Sequence, residues 1–449
     1  MLRPGLTACL EEADSIVHLT RLVIHKYRNV VSGTTLVFNP GKNVLLGKNA
    51  TGKSTLLNLL AAVARSDFSA LKGEEFALDY EMSGPDWQLH ASVRNERKNA
   101  WGLDLGALGQ SPLKGAVSLV QETTSYQLEW SLRLTFNTLP TAIQVTTTAS
   151  EMRVDVIKAD GTRPVAIEDR SFLSDDVLIS CVAAAMSVLG DERELRDALS
   201  NMVVAALVRA QSRFDESLGF FERMLSQRVF LRRFKAEDRL IAISPDVSIQ
   251  MKVRMNVVVN AEPERTTFEF PNEQLRFLDA AVRQMGFRSG RLKLERIEKR
   301  LEEDGEMLQF GNSSFDFSRE DGSAINHSLL SFGQKRLLAF YYYLDCNHIV
   351  VADELVNGLH HHWIESCLDA IGNRQAFLTS QNPLLLDYLH FESAEQARSS
   401  FILCRTEKHD KHERMIWSNM AEEDSERFFT AYQTGIQHVS EILRTKGLW

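Results

Sequence analysis

Apolar and polar residues alternate through Phe76-Ala77-Leu78-Asp79-Tyr80-Glu81-Met82, through Tyr126 to Leu134 and through Ile143 to Thr147. Alternation turns one face of a pleated strand toward a core and the other toward water, so residues 75–164 predict an antiparallel sheet. Two apolar runs are short and continuous instead, Asn43-Val44-Leu45-Leu46 and Ile349-Val350-Val351-Ala352, and each reads as a buried strand. Gln375 to Ser380 reads as a third core strand. Ser54 to Ala64, just downstream of the first run, is an apolar segment long enough for a helix.

The middle of the chain patterns differently. From Asp175 to Gln227 it is rich in Ala, Leu, Met and Arg and reads as helical; Ile249 to Val259 reads as a strand, and Asn272 to Asp304 as helical again. No apolar repeat of period 3.5 persists over enough heptads for a long coiled coil, so a compact, mainly helical lobe is expected. Near the end, Asp424 to Arg444 predicts one amphipathic helix, with Phe428, Phe429, Tyr432, Ile436, Val439 and Ile442 spaced about three to four residues apart. That stripe, with the terminal Trp449, either packs on its own chain or docks a second protein or another copy.

Between the first buried strand and its helix lies Gly47-Lys48-Asn49-Ala50-Thr51-Gly52-Lys53-Ser54, which fits G-x-x-x-x-G-K-[ST] at every required position. The glycines let the backbone curl so that successive N–H groups and the helix N-terminus face a phosphate. Lys53 then reaches the β- and γ-oxygens, while Ser54 binds Mg²⁺ and Thr55 follows at the helix start. The expected ligands are a nucleoside triphosphate, ATP, and Mg²⁺.

Length and charge narrow the class. With 449 residues the chain buries a large core without needing metals or disulfides. Its cysteines, Cys9, Cys181, Cys346, Cys367 and Cys404, form no C-x-x-C pair, a pattern of the reducing cytosol. No window offers the roughly 18 uninterrupted apolar residues of a membrane span, and Glu11, Glu12 and Asp14 do not suit a signal peptide, so a cytoplasmic protein with no membrane partner is expected. Net charge is −9, so no global field favours nucleic acid. Two local basic stretches, Arg228 to Lys235 and Arg288 to Arg296, leave DNA possible, with neighbouring carboxylates such as Glu237 and Asp238 favouring a solvated face. His360-His361-His362 lacks ligand spacing and reads as a helix start rather than a metal site.

Further motifs place the chain within a wider group. Leu329-Leu330-Ser331-Phe332-Gly333-Gln334-Lys335-Arg336 resembles the L-S-G-G-Q signature of ABC-type and SMC-like ATPases, with Phe332 in place of the first glycine. His348-Ile349-Val350-Val351-Ala352-Asp353-Glu354 resembles a Walker B strand, and Leu355-Val356-Asn357-Gly358-Leu359-His360 is similar to the D-loop of compact OLD-related ATPases. Thr379-Ser380-Gln381-Asn382-Pro383 stands where that group has its switch histidine, so Gln381 replaces an imidazole. Leu19 to Val30 resembles the opening strand of SMC, RecF and OLD-like heads. Arg28 is its candidate phosphate-side arginine, or equally a solvated strand-end charge. Gln121, after the apolar run Ala116 to Val120, and Gln110 are both candidates for the Q-loop position, and an ordinary surface glutamine is favoured over either.

The resemblance implies an α/β ABC-type phosphate-loop head with an antiparallel β subdomain and a compact, mainly helical insertion. Residues 1–170 and 325–449 would form the two halves of the head, and 171–324 the insertion. Asp353 would hold Mg²⁺ with Ser54, and Glu354 would polarise the attacking water, with Lys53 and Gln381 assisting. Ser331, Gly333 and Gln334 would cap nucleotide bound by another subunit, in a homodimer or higher oligomer. OLD-family nucleases add a Toprim domain that the residues after Glu354 do not spell. Two functional readings follow. One is the sensor ATPase of a prokaryotic antiphage system, like PARIS-like, Septu-like or retron-associated ATPases, holding a separate nuclease or toxin. The other is a RecF-like DNA-maintenance ATPase. With Gln381 unable to carry charge, slow hydrolysis is expected.

Overall fold

The computed structural model describes every residue except 1–16, 103–120, 149, 168–174, 191, 200–212, 216, 235–238, 243, 245–246, 304, 410–411 and 449. Three sheets organise the described residues. The first is antiparallel throughout and runs in space β2 (Thr34–Val37), β1 (His18–Tyr27), β4 (Phe76–Ser83), β5 (Trp87–Gly102), β6 (Gln121–Phe136), β7 (Leu139–Thr147), β8 (Met152–Lys158) and β9 (Gly161–Ala166). The alternation in β4 is reproduced, with Phe76, Leu78, Tyr80 and Met82 buried.

The second sheet runs β10 (Arg213–Phe214), β17 (Val350–Ala352), β18 (Ala376–Leu378), β3 (Lys42–Leu46), β19 (Phe401–His409) and β20 (His412–Asn419). Its strands are parallel from β10 to β19, and only β20 returns antiparallel. Successive residues of these short strands go to different cores. Leu45, Ile349, Val351 and Phe377 join a core shared with the first sheet and with α1 (Lys53–Arg65) and α2 (Val177–Val188). Val44, Leu46, Val350, Ala352, Ala376 and Leu378 join the other core. Both faces are therefore covered, which is why these segments read as continuous apolar runs.

The third sheet runs β12 (Arg239–Ala242), β11 (Val229–Phe234), β15 (Gly305–Ser318), β14 (Ser289–Glu302) and β13 (Thr267–Pro271), with β16 (Ala324–Asn326) on β15. Around it lie α3 (Gly219–Ser226), α4 (Ile249–Ala261), α5 (Arg276–Met285) and α6 (Phe332–Cys346). Among the described residues, the stretch 171–324 is thus mixed and not mainly helical, with an antiparallel sheet at its centre. Ile249–Ala261, expected as a strand, is a helix: the Ser248 hydroxyl caps the Met251 N–H, and Met251, Met255 and Val259 recur every fourth residue on the buried face. Packing overrides the β-propensity of Val257-Val258-Val259. The helix expected over 272–304 covers only α5, because Gly286 turns left-handed at φ 72° and Ser289 begins the longer strand β14.

The C-terminal stripe is also divided. Beyond α7 (His361–Ile371), α8 (Pro383–Asp387) and α9 (Ala394–Ser400), the chain forms α10 (Glu422–Gln433) and α11 (Val439–Thr445), not one helix. Gly435 at φ 66° breaks it, leaving Ile436 exposed. Phe428 is buried against Phe391 and Phe401, and Val439, Ile442 and Leu443 are buried as well, so both helices pack on their own chain. Trp449 lies outside the described residues. No helix among those described is long and apolar enough to cross a membrane.

Candidate functional site

The loop after β3 turns back on itself before α1 begins. Gly47, Ala50 and Gly52 all have positive φ, at 151°, 65° and 86°. A Cβ at Gly47 would lie 2.2 Å from the Cys404 carbonyl oxygen, and one at Gly52 2.3 Å from Met415 Sδ, so β19 and β20 press against the loop from behind. The Trp417 indole N–H donates to the Thr51 carbonyl across 3.3 Å, and the Thr51 hydroxyl to the Lys48 carbonyl at 2.8 Å. Lys53 Nζ donates to the carbonyls of Gly47 and Lys48, at 2.7 and 3.0 Å, which holds its ammonium within the turn.

Opposite stand the residues that follow β17. Its two neighbours order them. From β10, Arg213 Nη1 lies 3.6 Å from Asp353 Oδ2 and donates to Asn58 Oδ1 on α1 at 2.9 Å. From the end of β18, the Thr379 hydroxyl donates to Asp353 Oδ1 and accepts the Glu354 N–H at 3.0 Å. Glu354 has φ 50°, an unusual conformation for a residue with a side chain, and its Oε2 accepts the Gln381 N–H at 2.9 Å.

The two halves enclose an open cleft of about 490 Å³, within the range of small-molecule sites. Asn49, Ala50, Gly52, Lys53, Ser54 and Thr55 line one side, and Asp353, Glu354 and Gln381 the other, with Arg28, Asn29 and Met415 at the rim. Gly47, Lys48 and Thr51 do not line it but shape the loop from within. A curled backbone with an ammonium parked on its own carbonyls suits a triphosphate. The Ser54 hydroxyl and the Asp353 carboxylate suit Mg²⁺, which usually takes few protein ligands and completes its shell with water and phosphate oxygens. No group of three or more His, Cys, Asp or Glu side chains arranged for a metal occurs among the described residues, His360 to His362 included. His360 caps α7.

Arg28 follows the end of β1. It borders the cleft, yet it pairs bidentately with Glu74 at 2.6 Å for each bond. That pairing holds the Glu74 carboxyl below its usual range and raises the guanidinium.

Ser331, Gly333 and Gln334 are not among the residues lining the cleft. They form the start of α6, where the Ser331 hydroxyl accepts the Gln334 N–H and the Gln334 side chain accepts the Ser331 N–H. Gly333 is required by crowding, since a Cβ there would lie 2.9 Å from the Gly358 carbonyl oxygen. Phe332 covers Gly358 and remains half exposed, beside the exposed Leu329. The signature-like and D-loop-like turns are therefore packed on each other.

The sequence reading assigned no role to Thr379, Arg213 or Arg336. Thr379 sat in a quoted motif, but nothing local marks it as a bridge between Asp353 and Glu354; Arg213 belongs to a strand of two residues with no pattern. Gln121 begins β6, and Gln110 lies outside the described residues. The basic stretches are partly paired: Arg232 with Glu302, Arg233 with Glu306 and Arg291 with Glu269.

Residues 173–387 match a family described as "AAA domain, putative AbiEii toxin, Type IV TA system". No curated protein matches. Among solved structures, an SMC head bound to the C-terminal winged-helix domain of ScpA is 10% identical, with a TM-score of 0.36 over 90% of this chain and 98% of that one. The SMC head domain of Thermotoga maritima is 12% identical at a TM-score of 0.32, over 90% and 100%. RecF bound to ATPrS, from the RecFOR pathway, is 11% identical at 0.25, over 91% and 99%. This chain's own topology is mixed α/β: a parallel sheet with the Gly47–Ser54 loop after β3, flanked by antiparallel sheets.

Proposed function

We propose that this chain binds ATP with Mg²⁺ and hydrolyses it to ADP and phosphate. The observation that carries this is the convergence of Lys53, Ser54, Asp353, Glu354 and Gln381 on one cleft from three different strands. Lys53 leaves its loop carbonyls to hold the β- and γ-phosphates, and Ser54 and Asp353 hold the metal. Bound Mg²⁺ supplies charge compensation at those phosphates. Glu354 accepts a proton from water as its oxygen bonds to the γ-phosphorus, the bond from that phosphorus to the β,γ-bridging oxygen breaks, and the proton passes on to the released phosphate. Gln381 orients the water. Because a glutamine offers no positive charge to the transition state, turnover is slow.

Residues 1–170 and 325–449 serve as the two halves of this head, and 171–324 as an insertion that carries specificity. Ser331, Gly333 and Gln334 serve a nucleotide held by a second copy. That they are not among the residues lining the chain's own cleft supports this, as do the exposed Leu329 and Phe332 near them in the chain. The paired state governs a separate effector protein, a toxin or nuclease, in a prokaryotic antiphage system. A family description that names a toxin–antitoxin system supports that role.

The test compares Glu354→Gln with Lys53→Ala. The first is expected to bind ATP, lose hydrolysis and accumulate as a paired species in light scattering; the second loses ATP binding and stays unpaired. Hydrolysis at the parent rate in both variants contradicts the assignment. Affinity purification of Glu354→Gln with ATP and Mg²⁺, with a nuclease-treated control, then identifies the partner. A stoichiometric second protein supports effector control, and recovery of nucleic acid alone points to DNA maintenance instead.

A further inference from the structure

Arg336 is 1% exposed, the largest side chain buried so fully among the described residues. It lies on α6, five residues beyond Ser331, at the opposite side of that helix's first turns from solvent. Its Nη1 donates to the Asp215 carbonyl at 2.9 Å, and its Nη2 to the carbonyls of Glu354 and Leu355 at 3.1 and 3.2 Å. Its guanidinium carbon sits 5.1 Å from the Phe214 ring centre and 6.0 Å from that of Phe332. A cation buried this deeply is costly, and its partners here are main-chain carbonyls of the loop after β17 and of the residue after β10.

The Glu354 and Leu355 carbonyls belong to a strained turn. Glu354 is held at φ 50°, and relaxing it to the right-handed or extended region would swing the Glu354–Leu355 peptide and its oxygen away from Nη2. The same turn aims the Glu354 carboxylate at the cleft, where Oε2 meets the Gln381 N–H.

We propose that Arg336 is a positioning residue for Glu354, fixing its left-handed turn and tying it through α6 to the Ser331–Gly333 end. A displacement of that end, whether by a second copy or by Phe332 finding a partner surface, is carried along the helix to the carboxylate. The meaning of Glu354's position rests on the hydrolysis reading above; the clamp itself does not.

Arg336→Met and Arg336→Lys, made in the full chain, test this by three readouts. These are affinity for a fluorescent ATP analogue, steady-state kcat and KM, and hydrogen exchange of the Gln381 amide without nucleotide. In Arg336→Met, kcat is expected to fall about 10-fold or more while analogue affinity stays within about 3-fold, the split that marks a lost transition-state geometry. Protection of the Gln381 amide falls with it, and Arg336→Lys, which keeps the charge but not the planar fork, lies between parent and Met on both scales. Should Arg336→Met fail to fold, the Lys variant carries the same comparison. The proposal is overturned if kcat and Gln381 protection stay within about 2-fold of parent, or if kcat and analogue affinity fall in parallel. If the parent neither binds nor hydrolyses ATP, the hydrolysis reading falls, and the exchange measurement alone still decides whether Arg336 holds the turn.

Discussion

The Thr379 hydroxyl donates to Asp353 Oδ1 from the neighbouring strand of the parallel sheet. Its oxygen also accepts the Glu354 N–H, so one buried side chain sets both acidic residues. Thr379→Val keeps the shape and removes both bonds. Stability is expected to fall by about 1–3 kcal/mol, as for buried polar groups deprived of a partner, and Mg²⁺-dependent ATP binding to weaken. Urea unfolding and ATP titration with and without Mg²⁺ measure the two effects; unchanged binding in Mg²⁺ would show that Thr379 does not orient Asp353.

Gly52 tests the wall behind the loop. At φ 86°, with Met415 Sδ 2.3 Å from where a Cβ would lie, Gly52→Ala is strained in both conformation and space. A loss of about 2 kcal/mol or more is expected, together with loss of ATP binding. Adding Met415→Ala relieves the clash but not the φ, so the double variant recovers only part of the stability. Full recovery would mean that conformation is no constraint there.

Gln381 contributes its N–H to Glu354 and its side chain to the cleft lining. Gln381→Ala leaves the amide in place and removes the side chain. The expected result is a kcat lower by about 10-fold or more, with nucleotide affinity nearly unchanged, as when a transition-state donor is lost. A kcat equal to that of the parent would remove Gln381 from the catalytic set.

Asp176 gives a pH signature independent of the nucleotide. It caps α2, accepting the Ile179 N–H at 3.0 Å, and burial pushes its carboxyl up to about 6 from an ordinary 3.8, with Arg65 pulling it down and Asp67 adding to the rise. Between those values the folded state binds more protons than the unfolded one. This group's contribution therefore declines as pH rises through that window, and the penalty is complete above about 6. Asp176→Asn keeps a cap without the charge. It is expected to exceed the parent in stability at pH 7.5 by about 1 kcal/mol or more, the gap closing toward pH 4. Equal unfolding midpoints at pH 7.5 would contradict this.

Local pattern carried a good deal. The loop from Gly47 to Ser54 is legible because phosphate binding by backbone N–H groups demands glycines and a lysine at set spacing along a few consecutive residues. The buried strands β3 and β17 and the alternating β4 are legible for a similar reason, since burial on one or two faces writes itself into neighbouring positions. Where the expectation failed, a capping residue or a glycine decided against propensity: Ser248 made Ile249–Ala261 helical, Gly286 ended α5, and Gly435 divided the C-terminal stripe.

The sequence by itself determined where a phosphate-loop motif lies and which acidic pair accompanies it, because each is a local motif. Only the tertiary structure decided that they share a cleft, since the order β17, β18, β3 brings residues some 300 positions apart onto one sheet edge. It alone placed Arg213, Thr379 and Arg336 around Asp353 and Glu354. These contacts are set by strand adjacency and helix packing, and a hydrogen bond between distant segments leaves no period or spacing in the chain to read.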